Sequence, residues 1–259
     1  MAGSVECEVA GDLATVVLDS PGKLNAIDLG MWRRLTELFR DLGRQSEIRC
    51  IVLRGEGSLA FASGGDLEEF LTQRTTLEQA RAYHDEVALA LGAIGQCGYP
   101  TVALVQGACI GGGLEIAAAC DLRICGESSR FGVPIARLGF SMYPDEMRGL
   151  LDLAGPAVLK ELLLEGRILT AFEAHAKGIV TRVVADSLVV DEAYGTARRI
   201  ASGAPLVAAW HKQWIRRLRT GLPLSEEERA ASFAFLETED YREGLAAFFE
   251  KRKPQFKAR

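Results

Sequence analysis

At residues 108–121 the chain reads ACIGGGLEIAAACD: three consecutive glycines, Gly111 to Gly113, run into an apolar helix-forming stretch that carries one carboxylate, Glu115. Residues 61–70, FASGGDLEEF, repeat the form, with Gly64 and Gly65 ahead of Asp66 and another helix-forming run. The first four N–H groups of a helix have no partner inside it, and the helix dipole makes that end positive. Glycine at such a place lets a ligand oxygen approach the amides, because no Cβ stands in the way. Two such amides converging on one point, at Gly65 and Gly112, form an oxyanion hole, in which each donor is worth about 10²–10³ in rate. One glycine before a helix is an ordinary turn device. Two loops of the same form, each with an acid close behind, point to a ligand.

Glu115 has two readings. A glutamate in the first turn of a helix is favoured by the dipole alone. Its neighbours Leu114, Ile116, Ala117, Ala118 and Ala119, however, leave it no solvated face. A carboxyl that loses its hydration rises in pKa towards the range useful to a general acid or base. Glu115 is therefore the candidate proton-transfer group.

These groups need a frame to position them. Residues 14–20 (ATVVLDS) and 49–55 (RCIVLRG) are short, β-branched and bounded by turn residues, as strands are. Between them Asp28 can cap a helix whose apolar residues Met31, Trp32, Leu35, Leu38, Phe39 and Leu42 recur at three- and four-residue spacing. Residues 76–97 read as a second amphipathic helix, opened by Thr76 and Gln79 at capping-box spacing. TVALVQG (101–107) is apolar almost throughout, the pattern of a strand covered on both faces, and LRICG (122–126) follows as another. From Asp145 the pattern turns mostly helical, near 156–165, 170–177, 188–202, 205–219, 225–237 and 239–252, with GIVTRVV (178–184) as the one late strand. Strands alternating with helices, then a helical tail, predict an α/β core. The strands ahead of the two glycine loops belong in one sheet.

Several function classes are disfavoured. The chain has 259 residues, 48% hydrophobic and 25% charged, with a net charge of −5, so it can bury a full core and has no general attraction for polyanions. Six cysteines are scattered through apolar stretches, no basic and apolar leader opens the chain, and Gln106, Glu115 and Asp121 interrupt the longest apolar runs. A soluble cytoplasmic protein with reduced thiols and no membrane span is expected. GEGSLA (55–60) matches a dinucleotide-binding spacing but runs into FASGGD where a helix is needed. His84, His175 and His211 fall in helical segments away from both glycine loops, which argues against a catalytic triad or a metal cluster. Cys109 reads as a small buried hydrophobe. WHKQWIRRLRTG (210–221) reads as a helix with Trp210 and Trp214 packed inward and its cations in water, more simply than as a nucleic-acid site.

Taken together, PGKLNAID, FASGGDL, VQGACIGGGLEIAAACDLRIC, FGVPIARLG and TEDYREGLAAFFEKRKPQF resemble the crotonase (enoyl-CoA hydratase/isomerase) superfamily, from about residue 5 to residue 256. The resemblance implies a spiral of ββα units over residues 1–200, holding the coenzyme A and the active site. It implies a helical C-terminal region over 201–259 that trimerises and contacts the coenzyme. A homotrimer or hexamer acting on an acyl-CoA thioester follows, with no cofactor beyond the coenzyme A of the substrate, no metal, no nucleic acid, and fatty acid metabolism as the setting. In the family the amides at the positions of Gly65 and Gly112 hold the thioester oxygen as enolate charge develops. Glu115 falls where hydratases carry one of two catalytic glutamates. Lys23, the backbone of Ala26, and the stretch with Ala62, Gly64, Asp66 and Leu67 match segments that hold the nucleotide and pantetheine arm. Phe248 and Lys251 match C-terminal positions that reach the coenzyme, commonly a neighbouring subunit's.

One departure bears on the reaction. Hydratases carry their other glutamate directly after the proline of the FG-x-P stretch; here Pro134 is followed by Ile135, which cannot move a proton. Some isomerases supply an acid from the next segment, where Tyr143 falls without gaps and Asp145 with a two-residue slip. Some decarboxylases place a tyrosine within a residue of Tyr143. Asp145 also suits a plain helix cap. Three enzyme readings stand: a hydratase using Glu115, helped by Asp145 or Glu146, which is favoured because Glu115 is kept; an isomerase with a single acid, Glu115 or Asp145; and a decarboxylase using the oxyanion hole and a group to orient the carboxylate. The complete pair of glycine loops argues against a non-catalytic or RNA-binding homologue.

Overall fold

The computed structural model describes residues 2–259. The chain deals its strands alternately to two sheets. The larger holds β1 (Ser4–Ala10), β2 (Leu13–Asp19), β3 (Cys50–Gly55), β5 (Thr101–Val105), β7 (Leu122–Gly126) and β10 (Arg182–Val184), in that spatial order. The smaller holds β4 (Ala60–Ala62), β6 (Ala108–Ile110), β8 (Arg130–Gly132) and β9 (Ile168–Thr170). Thus β3 then β4, β5 then β6, and β7 then β8 each add one strand to each sheet. The steps pair in parallel within both sheets, and only β1 and β9 run antiparallel to their neighbours.

Helices follow the strand pairs: α1 (Leu29–Leu42), α2 (Leu67–Gln73), α3 (Leu77–Gln96), α4 (Gly112–Ala119), α5 (Pro144–Lys160), α6 (Ala171–Ala176), α7 (Val189–Ala201), α8 (Pro205–Leu218), α9 (Glu226–Ala231) and α10 (Glu239–Glu250). The expected α/β spiral of ββα units with a helical C-terminal region is present.

Local chemistry explains the boundaries. Asp28 caps α1 by accepting the Met31 N–H at 2.8 Å. The apolar run at 101–107 ends as a strand at Val105, and Gly107, with φ +62, turns the chain towards the second sheet. A Cβ at Gly107 would lie 1.9 Å from the Leu59 carbonyl oxygen, so only glycine fits. Thr76 caps α3 by accepting the Gln79 N–H, but the Gln79 side chain turns to Thr75, so the capping box is half made. The late strand is shorter than its apolar run: Ile179 and Val180 are buried ahead of it, and only Arg182–Val184 pairs with β7.

The larger sheet is covered on both faces. On one, Leu18, Ile51 and Leu53 meet Trp32, Leu35 and Phe39 of α1 and Ile94 of α3; on the other, Val52, Val102, Leu104 and Ile124 meet Val189, Ala193 and Ala197 of α7. Each large side chain so buried stabilises the fold by about 1.5–3 kcal/mol. In α8 the sequence reading needs correction: Trp210 and Trp214 are only half-buried, and the cation Lys212 points inward. Lys212 donates to Asp121 at 2.5 Å and to the Tyr99 carbonyl at 2.7 Å, tying the helical tail to the core.

Candidate active site

Because β4 and β6 are parallel neighbours in the smaller sheet, the loops that leave them lie side by side. Gly64, at φ +116, and Gly111, at φ +50 and ψ −121, hold conformations that side-chain-bearing residues rarely adopt, and they pack backbone to backbone. Gly113 permits a different closeness: a Cβ there would stand 2.5 Å from the Ala62 carbonyl oxygen. Gly112 keeps open the space between the loops, where a Cβ would lie 3.0 Å from Trp32 Cζ2 and 3.6 Å from the Gly65 nitrogen. The three glycines thus serve a turn, a ligand space and a close approach. Helix α4 has no side-chain cap, and neither Gly65 nor Gly112 finds a main-chain acceptor for its N–H among the described residues. The two donors are near each other and open.

Both loops line a cavity of about 560 Å³. Lys23, Ala26, Gly64, Asp66 and Leu67 line it too, as do Pro134 and Ile135. The 23–27 loop is stitched to the second glycine loop: Ser63 N–H donates to the Leu24 carbonyl, Ile27 N–H to that of Gly64, and Asp66 N–H to that of Ile27. Asn25 shapes this loop from a left-handed conformation, with its amide bonded to the Ala60 carbonyl at 2.8 Å. Lys23 Nζ bridges Asp66 at 2.7 Å and Glu68 at 2.6 Å, which places a paired ammonium on the cavity wall.

Glu115 lines the cavity and is 8% exposed. Burial pushes its carboxyl well above the ordinary carboxylate range; the nearby Glu146 charge raises it further, and the Arg74 guanidinium opposes both. Glu146, from the first turn of α5, is buried in the same cavity and hydrogen-bonds His84 Nδ1 of α3 at 2.5 Å.

The other expected acids lie elsewhere. Asp145 is exposed and stands 3.6 Å from Arg148. Tyr143 stacks on the His84 ring, with centroids 5.1 Å apart, and is not among the residues lining the cavity. Ala62 is fully buried beneath Gly113. Phe248 and Lys251 sit on and just after α10, exposed and away from this chain's own cavity.

His84 corrects the sequence reading, which set all three histidines apart from the glycine loops. The signal was present: α3 buries Tyr83, Val87, Ala90 and Ile94 at helical spacing, and His84 borders that stripe. Glu146 was legible in the same way, four residues before buried Leu150 on one face of α5. Arg74, Tyr83 and Trp32 also line the cavity, and no motif pointed to them.

A pair of open amides beside two buried carboxyls has the chemistry to stabilise an oxyanion and move protons. The sequence profile of the family described as enoyl-CoA hydratase/isomerase matches residues 8–259, and the chain belongs to that family. A short-chain-enoyl-CoA hydratase of Clostridium acetobutylicum is 31% identical over 257 residues, covering 96% of each chain. A Delta(3,5)-Delta(2,4)-dienoyl-CoA isomerase of Dictyostelium discoideum, mitochondrial, is 29% identical, covering 95% of this chain and 87% of that one. The crystal structure of an enoyl-CoA hydratase/carnithine racemase from Magnetospirillum magneticum superposes with a TM-score of 0.97 at 45% identity, covering 99% of this chain and 97% of that one.

Proposed function

We propose that the protein adds water to a 2-enoyl-CoA, and that Glu146 fills the role left open by Ile135. The observation that carries this is the presence of two buried carboxyls, Glu115 and Glu146, in the cavity that Gly65 and Gly112 line. The thioester oxygen sits between the two amides. Water adds through its oxygen to C3 while its proton passes to the Glu146 carboxylate, which His84 orients. The electron pair of the double bond moves to the thioester oxygen, where both amides stabilise the enolate. Glu115, whose carboxyl burial pushes well above the ordinary carboxylate range, delivers its proton to C2 as the enolate collapses to the thioester. One proton returned from Glu146 to Glu115 restores the site. This chemistry needs only the chain's own groups, with coenzyme A arriving as part of the substrate.

A second reading has its own support. His84 engages Glu146, whereas the Glu115 carboxyl makes no hydrogen bond among the described residues, so Glu115 alone is free to carry a proton from C2 to C4 of a 3-enoyl-CoA. Assays of Glu115→Gln and Glu146→Gln on crotonyl-CoA and on a 3-enoyl-CoA separate the two. Hydration lost by about 10²-fold or more in both variants supports the two-acid hydratase. Full hydration by Glu146→Gln refutes it, and isomerisation lost only in Glu115→Gln establishes the isomerase.

The same proposal includes a trimer or hexamer in which Phe248 and Lys251 reach a neighbour's coenzyme. Phe248 and Phe249, 77% and 78% exposed on α10, favour a covered tail, and light scattering at working concentration tests it. Six unpaired cysteines fit a reducing cytoplasm. No helix among the described residues is long and apolar enough to cross a membrane.

A further inference from the structure

Arg74, the residue that ends α2, presents its guanidinium to the cavity from an aromatic seat. Its Cζ lies 3.9 Å from the Phe70 ring centroid, 4.8 Å from Phe140 and 5.6 Å from Tyr83. Partial burial pulls its pKa down, so its charge sits at a cost, and it makes no hydrogen bond or ion pair among the described residues. The Glu146 and Glu115 carboxyls in the same cavity favour its charged form from a distance, but neither hydrogen-bonds or ion-pairs with it, and Glu146 is engaged by His84. Trp32 Nε1 and Tyr83 Oη are buried beside each other in the same wall. A plain alkyl chain would leave the guanidinium without an acceptor.

We infer that the acyl group taken here ends in a carboxylate, so that the substrate is the CoA thioester of a short dicarboxylic acid, with Arg74 as the specificity-determining residue. A carboxylate is the acceptor-only, planar group that a guanidinium fork matches, and the aromatic seat fixes the fork's plane. Phe140 and Met142, which also wall the cavity, favour a short chain. This inference rests on the acyl-CoA reading of the site but not on hydration.

The test uses saturated thioesters, which bind without reacting: glutaryl-CoA against pentanoyl-CoA, of equal chain length, titrated calorimetrically into the purified full chain. Wild type is expected to favour glutaryl-CoA by at least about 10-fold, the worth of one charge-assisted hydrogen bond. Arg74→Met, which keeps the stem packed on the rings, should cut that ratio by about 10- to 100-fold, and Arg74→Lys should restore part of it. Equal affinity for both thioesters in wild type, or a ratio unchanged in Arg74→Met, overturns the inference. Failure of both thioesters to bind overturns the acyl-CoA reading as well, whereas a glutaryl preference without any hydration removes only the hydratase.

Discussion

Replacing Gly112 with alanine separates the oxyanion hole from the fold that carries it. The backbone tolerates the change, because Gly112 is the first residue of α4 and its φ is not positive. Alanine in a helix is favoured over glycine by up to about 1 kcal/mol. Against this, the new methyl stands 3.0 Å from Trp32 Cζ2 and 3.4 Å from Cη2, a tight contact that costs about 1–3 kcal/mol if the ring cannot shift. The net change in stability is therefore a destabilisation of at most about 2–3 kcal/mol. Activity should respond far more. The methyl lies 3.6 Å from the Gly65 nitrogen, in the space an oxygen must enter to sit about 2.7–3.1 Å from that donor. Losing one of the two donors predicts a fall in kcat/KM on crotonyl-CoA of about 10²–10³-fold. Thermal melting reports the fold and steady-state kinetics the chemistry. Gly149→Ala is the control: Gly149 is exposed in α5 with nothing within 4 Å of a Cβ, so kcat/KM should hold and the melting temperature should stay level or rise. A folded Gly112→Ala enzyme with kcat/KM within about threefold of wild type refutes the oxyanion assignment.

Two further outcomes follow from the electrostatics. Burial raises the folded-state pKa of Glu115 above its ordinary value of 4.5, so above that pH the folded chain keeps a proton that the unfolded chain has released. Stability then falls by about 1.4 kcal/mol per pH unit from 4.5 up to the folded-state value, and the contribution is intact only below 4.5. Glu115→Gln should consequently melt at a higher temperature than wild type at neutral pH, with the gap closing as pH falls towards 4.5; a gap of the opposite sign ends the argument. Asp145→Asn removes an exposed charge 3.6 Å from Arg148 and should leave kcat/KM unchanged and stability within about 1 kcal/mol, whereas a large kinetic loss would show that Asp145 enters the cavity on substrate binding.

The parts of the fold legible in the sequence were those with enough length to repeat. The stripe Met31, Trp32, Leu35, Leu38, Phe39 and Leu42 is the inward face of α1, and the unbroken run Thr101–Val105 is a strand buried on both sides. The smaller sheet escaped because its four strands have three residues each, too few for a period of two to show. Strand β1 escaped because most of its residues are at least partly exposed. In α8 the alternation of aromatic and basic residues misled, because long side chains can reach inward with a charged tip when a carboxylate waits there, as Asp121 does for Lys212.

The site divides along the same line, and the reason lies in what backbone and side chain each require. The amide pair depends on glycines that turn the chain, pack closely and leave room for a ligand, and two loops of that form, GGG and SGG, are visible in the sequence. An acid needs only to reach the cavity, and several turns of the spiral end there. Ile135 after β8, Glu146 on α5 and His84 on α3 all face it, from segments distant in sequence. A carboxyl absent from position 135 can therefore be supplied from position 146, provided a partner such as His84 satisfies it in its buried seat. No local pattern around residue 135 contains that information, because the compensating group is adjacent only in three dimensions. On the reading proposed above, the oxyanion hole belongs to the backbone and the choice of acid to the side chains, so the glycines point to the family while the residues around Glu146 and Arg74 set the member's chemistry.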